Sequence, residues 1–133
     1  MEKSVGAVII HDRKYLVLKY GLGHWGFVKG HIEKDESDEE TLFRETEEET
    51  GIKKEHLKIV DGFKEKISYY FKRQGKTIYK EVNYYLAESN TSDIKLSHEH
   101  KNYKWLDYEN AIEQLSFKNT KKILKKANDF LQN

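Results

Sequence analysis

The sequence predicts a mixed α/β (α+β) sandwich, a β-sheet between α-helices, and three observations carry that expectation. β-rich runs interleave with helical ones along the chain. One acidic segment is bracketed by helix start and stop signals. The C-terminal segment repeats apolar residues at helical spacing. The 133 residues are the size of one domain with one core, so residues 1–133 are expected to form a single unit.

Ser4–Ile10 (SVGAVII) and Lys14–Tyr20 (KYLVLKY) are β-rich and separated by His-Asp-Arg, which reads as a hairpin. A Gly-rich turn at Gly21–Gly23 leads into WGFVKG. Ser37 with Glu40 three residues on is a capping-box signature, and Gly51 is a C-terminal stop. Together they predict a helix from about Asp38 to Glu49, with Leu42, Phe43, Thr46 and Thr50 as its core face. Leu57–Arg73 and Lys76–Ser89 flank Gln-Gly and predict a long hairpin. Tyr103–Leu106 reads as a last short strand. Tyr108–Leu115 and Phe117–Leu131 read as helices. The second carries a stripe of Ile123, Leu124, Ala127, Phe130 and Leu131.

Composition narrows the function. The chain is 37% hydrophobic and 35% charged, and its nine Tyr, six Phe and two Trp argue against disorder. The absence of Cys excludes disulfides and thiolate metal sites, and favours an intracellular, cytoplasmic setting. No apolar run approaches the roughly 20 residues of a membrane span, and the first residues lack a signal-peptide layout, so no membrane partner is expected. A net charge of +1 conceals an asymmetry. Gly30–Ile52 holds ten acidic and two basic residues, a local −8, which leaves +9 for the rest. An acidic site in a basic surround suits a metal cation binding beside a polyanion.

Glu45, Glu48 and Glu49 fall at i, i+3 and i+4, so three carboxylates share one helix face. Arg44 can pair with Glu48 at i+4, and Glu36 lies just before the helix. Hard divalent cations take such oxygen ligands together with substrate phosphates. A Glu-rich helix is ordinarily a solvated face; the wider spacing sets this one apart. Gly30 is followed by five residues, Glu36, seven residues, and then Arg44-Glu45-Thr46-Glu47-Glu48-Glu49-Thr50-Gly51-Ile52. This resembles the Nudix box of the Nudix hydrolases. Seven fixed positions would match by chance on the order of 10⁻⁷ per register. Thr46 departs from the pattern, which usually has an aliphatic residue there.

The resemblance implies the Nudix fold, a mixed sheet between helices. It also implies hydrolysis of a nucleoside diphosphate linked to another group, with Mg²⁺, or Mn²⁺ in its place, at Glu45, Glu48, Glu49 and Gly30. Arg44 belongs to the same catalytic group. The flanks HWGFVKGHIE, DGFKEKISYYF, YYLAE, LSHEHKNYKWL and SFK stand in the order seen in one branch, and about His24 to Leu131 is similar to the asymmetric diadenosine tetraphosphate (Ap4A) hydrolases. That similarity implies a dinucleoside polyphosphate substrate cut to ATP and AMP. It implies Glu99 reaching the metal from a separate loop, and His24, Lys29 and His31 along the phosphates. It further implies Tyr84 stacking on a base with Phe117 closing the other face. By their place on the long hairpin, Tyr69, Lys72, Lys76 and Lys80 can add contacts to a phosphate chain, although a solvated strand lysine is the ordinary reading of any one of them. Val28 stands where that branch usually has Pro. Three alternatives stay open: an RNA 5′ end as substrate, another nucleoside diphosphate linked to a group X such as a damaged nucleoside triphosphate, or a nucleotide-sensing module without turnover.

Overall fold

The computed structural model describes residues 1–133 and places one seven-stranded sheet between helices. β1 (Glu2–His11) and β2 (Lys14–Tyr20) are followed by the short strands β3 (Trp25–Gly26) and β4 (Val28–His31). Helix α1 (Asp38–Thr50) and a 3₁₀ turn (Lys54–His56) lead to β5 (Leu57–Arg73), β6 (Lys76–Ser89) and β7 (His100–Leu106). Helices α2 (Tyr108–Gln114) and α3 (Lys118–Gln132) close the chain. β1 runs parallel to β6 and antiparallel to β4. β5 pairs with β6, and β2 with β1, β3 and β7, all antiparallel.

Both predicted hairpins form, and each turns through two residues with positive φ: Asp12 and Arg13 in the first, Gln74 and Gly75 in the second. The predicted α1 forms with its capping box complete. Ser37 Oγ accepts from Glu40 N–H at 3.1 Å, and Glu40 Oε1 accepts from Ser37 N–H at 3.0 Å. Gly51 ends the helix at φ 78°, a left-handed conformation that a side chain would strain.

The WGFVKG stretch forms two short strands: Trp25–Gly26 pairs with β2 while Val28–His31 pairs with β1. Val28 lies opposite Ala7, so a strand ladder fixes the chain at the position where proline was expected. β7 starts at His100, three residues before the expected strand, through a His-Lys-Asn stretch of weak β-propensity paired to β2. On α1, Leu42, Thr46 and Thr50 are buried, but Phe43 is only half-buried and Glu49 joins the buried face.

Strand alternation builds a core on each side of the sheet. Val5, Ala7 and Ile9 of β1 pack with Leu42 and Ile52 on the α1 side. Val8 packs with Val82, Tyr84, Leu86, Ile123, Leu124 and Ala127 on the α2/α3 side. No helix is long and apolar enough to cross a membrane.

Candidate active site

Arg44 organises the loop that enters α1. Its Nε and Nη2 grip the Glu36 carboxylate at 2.6 and 2.9 Å, a bidentate pair. Nη2 also donates to the His31 carbonyl at 3.0 Å, and Nη1 to Glu45 at 2.8 Å. The expected i+4 partner, Glu48, is the more distant one at 3.3 Å. Glu36 also accepts from Glu33 N–H and Thr41 Oγ, each at 2.9 Å. Hydrogen bonds from Arg44, then from the Glu33 backbone, hold the Glu36 carboxyl down at about 2. With its donors committed in this way, Arg44 positions the loop and Glu45.

The carboxylates border a polar cavity of about 660 Å³ lined by Lys29, Gly30, His31, Glu45, Glu48, Glu49, Ser97, His98 and Glu99. Six of its residues come from α1 and β4, which the β1 pairing holds beside the helix, and three from the turn before β7. Their exposures differ. The Glu48 side chain is 57% exposed, Glu45 15% and Glu49 4%. Burial, then the neighbouring Glu45, raises the Glu49 carboxyl far above the ordinary 4.5. Gly30 is a cradle: a Cβ there would collide with the Glu45 carboxyl.

These residues fit a divalent cation. All four acidic donors are hard oxygens, and buried Glu49 Oε1 has no hydrogen-bond partner. No three His, Cys, Asp or Glu side chains stand together closely enough to hold a metal ion by themselves.

A second cavity, about 430 Å³, lies on the α2/α3 side and is lined by Lys29, Ile67, Tyr69, Val82, Tyr84, Phe117 and the first turn of α3. The register explains it. Lys29 and Tyr84 flank Gly6 from β4 and β6, and Tyr69 lies opposite Lys80. Tyr84 lies so close over Gly6 that a methyl group there would strike its ring. Only 3% of Tyr84 is exposed, against 53% of Phe117. Tyr84 is therefore cavity floor and Phe117 an open rim, so the two are unequal partners for a base. Lys29 borders both cavities, and burial, then Lys80, lowers its ammonium below the ordinary value.

The remaining expected residues lie nearby in different settings. His31 edges the carboxylate cavity with Nε2 3.6 Å from Glu2. Lys80 is half-buried beside Glu2, outside the walls of either cavity. His24 lines neither cavity; it stacks on Tyr20 at 4.6 Å and tilts against Phe117 at 5.2 Å.

The sequence reasoning passed over Tyr20, Ser97, Ile67 and Val82. Counting pairs back from the Gln-Gly turn places Ile67 and Val82 opposite each other, beside Tyr84 on its face, so that signal was present. Nothing local marks Tyr20, whose hydroxyl donates to the Phe27 carbonyl and whose ring meets buried His100 at 4.5 Å.

The family model described as NUDIX domain matches residues 2–127. The chain is 41% identical over 113 residues to mouse bis(5′-nucleosyl)-tetraphosphatase [asymmetrical], covering 84% of this chain and 74% of that one. It superposes on a crystal structure of a C. elegans Ap4A hydrolase binary complex with a TM-score of 0.87 and 34% identity, covering 99% and 98% of the two chains. It is also 41% identical over 96 residues to an mRNA-decapping protein of African swine fever virus, spanning 69% of this chain but 34% of the viral one.

Proposed function

The chain belongs to the Nudix family, and on that premise we propose that it hydrolyses dinucleoside polyphosphates, splitting Ap4A into ATP and AMP with Mg²⁺. The observation that carries this is Lys29. It stands between an acidic cavity suited to cations and an aromatic cavity suited to a base. A ligand anchored by its base in the second cavity would lead its phosphates past Lys29 into the first. The similarity to the mouse enzyme and to the worm Ap4A hydrolase supports this substrate class.

Glu45, Glu48, Glu49 and Glu99 would hold Mg²⁺, or Mn²⁺ in its place, beside the Gly30 backbone. When bound, the cation supplies charge neutralisation at the phosphates and activates water. Arg44 fixes Glu45 and the entering loop. Lys29 and His31 bind phosphate oxygens, and Tyr84, Tyr69 and Phe117 enclose the base. His24 backs Phe117, and Lys80 sets the charge around Lys29 and Tyr69. Residues 1–133 act as one catalytic unit, and we assign its activity to the cytoplasm.

The test is a panel of Ap4A, Ap3A, triphosphorylated RNA and single nucleotides with Mg²⁺, with products resolved by chromatography. Metal-dependent hydrolysis of Ap4A is expected to dominate. The viral decapping relative favours one second candidate, an RNA 5′ end; pyrophosphate release from RNA with Ap4A untouched would select it. Nucleotide binding without turnover of any substrate would favour a sensing module.

A further inference from the structure

Two buried polar atoms without hydrogen-bond partners face each other beneath the carboxylate cavity: Glu49 Oε1 and His100 Nε2, 3.4 Å apart. That is just outside the ~2.7–3.2 Å of a made N–H···O bond. The His100 side chain is wholly buried. A buried ring nitrogen without a partner is costly, so this arrangement calls for a reason. Its other nitrogen, Nδ1, is 3.2 Å from Ser97 Oγ, and Ser97 Oγ also accepts from Glu99 N–H at 3.3 Å. When the Ser97 hydroxyl donates to Nδ1, the ring proton sits on Nε2, facing Glu49. The ring is pinned from the side by Tyr20, edge-on at 4.5 Å. The same turn is tied to the end of α1, with Ser97 N–H on the Glu49 carbonyl at 3.3 Å and His100 N–H on the Ser97 carbonyl at 3.2 Å.

We infer that His100 is a positioning residue: its Nε2–H holds the Glu49 carboxylate in the orientation that receives the cation, and Ser97 fixes the ring that does so. The inference rests on the cation assignment of the carboxylate cavity. Groups that hydrogen-bond a metal-binding side chain from behind set its orientation, and their loss typically weakens metal affinity about 10–100-fold. The device also ties Glu49 to the Glu99 turn, so two acidic side chains from separate elements keep a fixed relation. Glu99 and His98 face the cavity from that turn, and Glu45 faces it from α1.

The test measures Mn²⁺ binding to the full chain without nucleotide, by the electron paramagnetic resonance signal of free Mn²⁺. His100→Leu and His100→Gln both remove the ring that packs on Tyr20, but Gln can still offer an N–H near the position of Nε2. Leu should weaken Mn²⁺ binding by about 10–100-fold while Gln stays close to the parent. For Ap4A at saturating Mn²⁺, KM should be unchanged in both. Equal affinities in the Leu and Gln variants, with the parent binding Mn²⁺, would overturn the inference. If neither variant folds, Ser97→Ala decides: weaker Mn²⁺ binding supports the pinned ring, and parental binding overturns it. A parent that binds no Mn²⁺ removes the cation assignment and this inference with it. A parent that binds Mn²⁺ but leaves Ap4A intact, with the Leu–Gln difference present, would instead refute only the substrate.

Discussion

Gly30 lacks the methyl group that would strike the Glu45 carboxyl. The obstruction would fall on the end of a flexible side chain, so Gly30→Ala is expected to fold, with its melting temperature little changed. Glu45 would turn out of the cavity and off Arg44 Nη1, which now holds it at 2.8 Å. A displacement of about 1 Å at a reacting centre can cost on the order of 10²-fold in rate, so kcat for Ap4A should fall at least tenfold, read by product chromatography. Glu49 allows a second expectation. Burial, then Glu45, raises its folded pKa well above 4.5, so between 4.5 and that raised value the folded chain binds more protons than the unfolded one. Stability without metal therefore falls as pH rises through this window. Metal binding needs the carboxylate and releases its proton, so Mg²⁺ affinity should rise with pH across the same window. Calorimetric titrations at pH 6 and pH 8 should show tighter binding at pH 8. Affinity that does not change with pH would sink this account of Glu49.

At the scale of elements, the segment from β4 to α1 is a loop and helix held by one arginine. The folded Glu36 pKa is depressed to about 2, chiefly by Arg44. Its contribution to stability is therefore complete above about 4.5 and is lost as pH falls through 2. Thermal melts from pH 5 down to pH 2.5 should show the Glu36→Gln variant less sensitive to acid than the parent. Parallel curves would remove Glu36 from the acid transition. The Glu36–Arg44 pair also shows how far the sequence could be read. The box spacing brought Gly30, Glu36, Arg44 and the α1 carboxylates together on paper, and the capping residues set the helix limits to within a residue. The spacing could not say which carboxylate Arg44 would choose. The i+4 rule favoured Glu48, whereas the loop folds back to give Glu36 a bidentate grip. Likewise, helical periodicity treats Glu48 and Glu49 alike, but only Glu49 is covered, because the turn before β7 closes over it. The meeting of Tyr20, His24, Phe117 and His100 joins three separate segments, the Tyr20–His24 turn among them. No local pattern encodes such a meeting, which depends on how the β2–β7 edge packs against the start of α3.

Across the whole molecule, the proposed placement of a base in one cavity and a cation in the other would set the direction of cleavage. The sheet separates an α1 side from an α2/α3 side, and Lys29 on β4 is the residue that borders both the carboxylates and the aromatic cavity. The substrate proposed here is nearly symmetric, but this binding surface is not. One end offers aromatic walls for a base, and the other offers four acidic side chains and no apolar lining. A base held against Phe117 and Tyr84 fixes the distance along the phosphate chain at which a phosphorus meets Glu45, Glu48 and Glu49. The enzyme has no internal two-fold axis that would centre the middle anhydride. Cleavage should therefore be off-centre, giving ATP and AMP, and hydrolysis in ¹⁸O-labelled water should place the label in only one of the two products by mass spectrometry. Phe117→Ala should weaken base anchoring by ~1–3 kcal/mol, the usual worth of an aromatic–base stack, without altering which products form. On this proposal the separation of the cavities would set the position of the cut, whereas the rim would set how long the substrate stays. Two ADP molecules as the main product would refute this geometry, even from an active, metal-dependent enzyme.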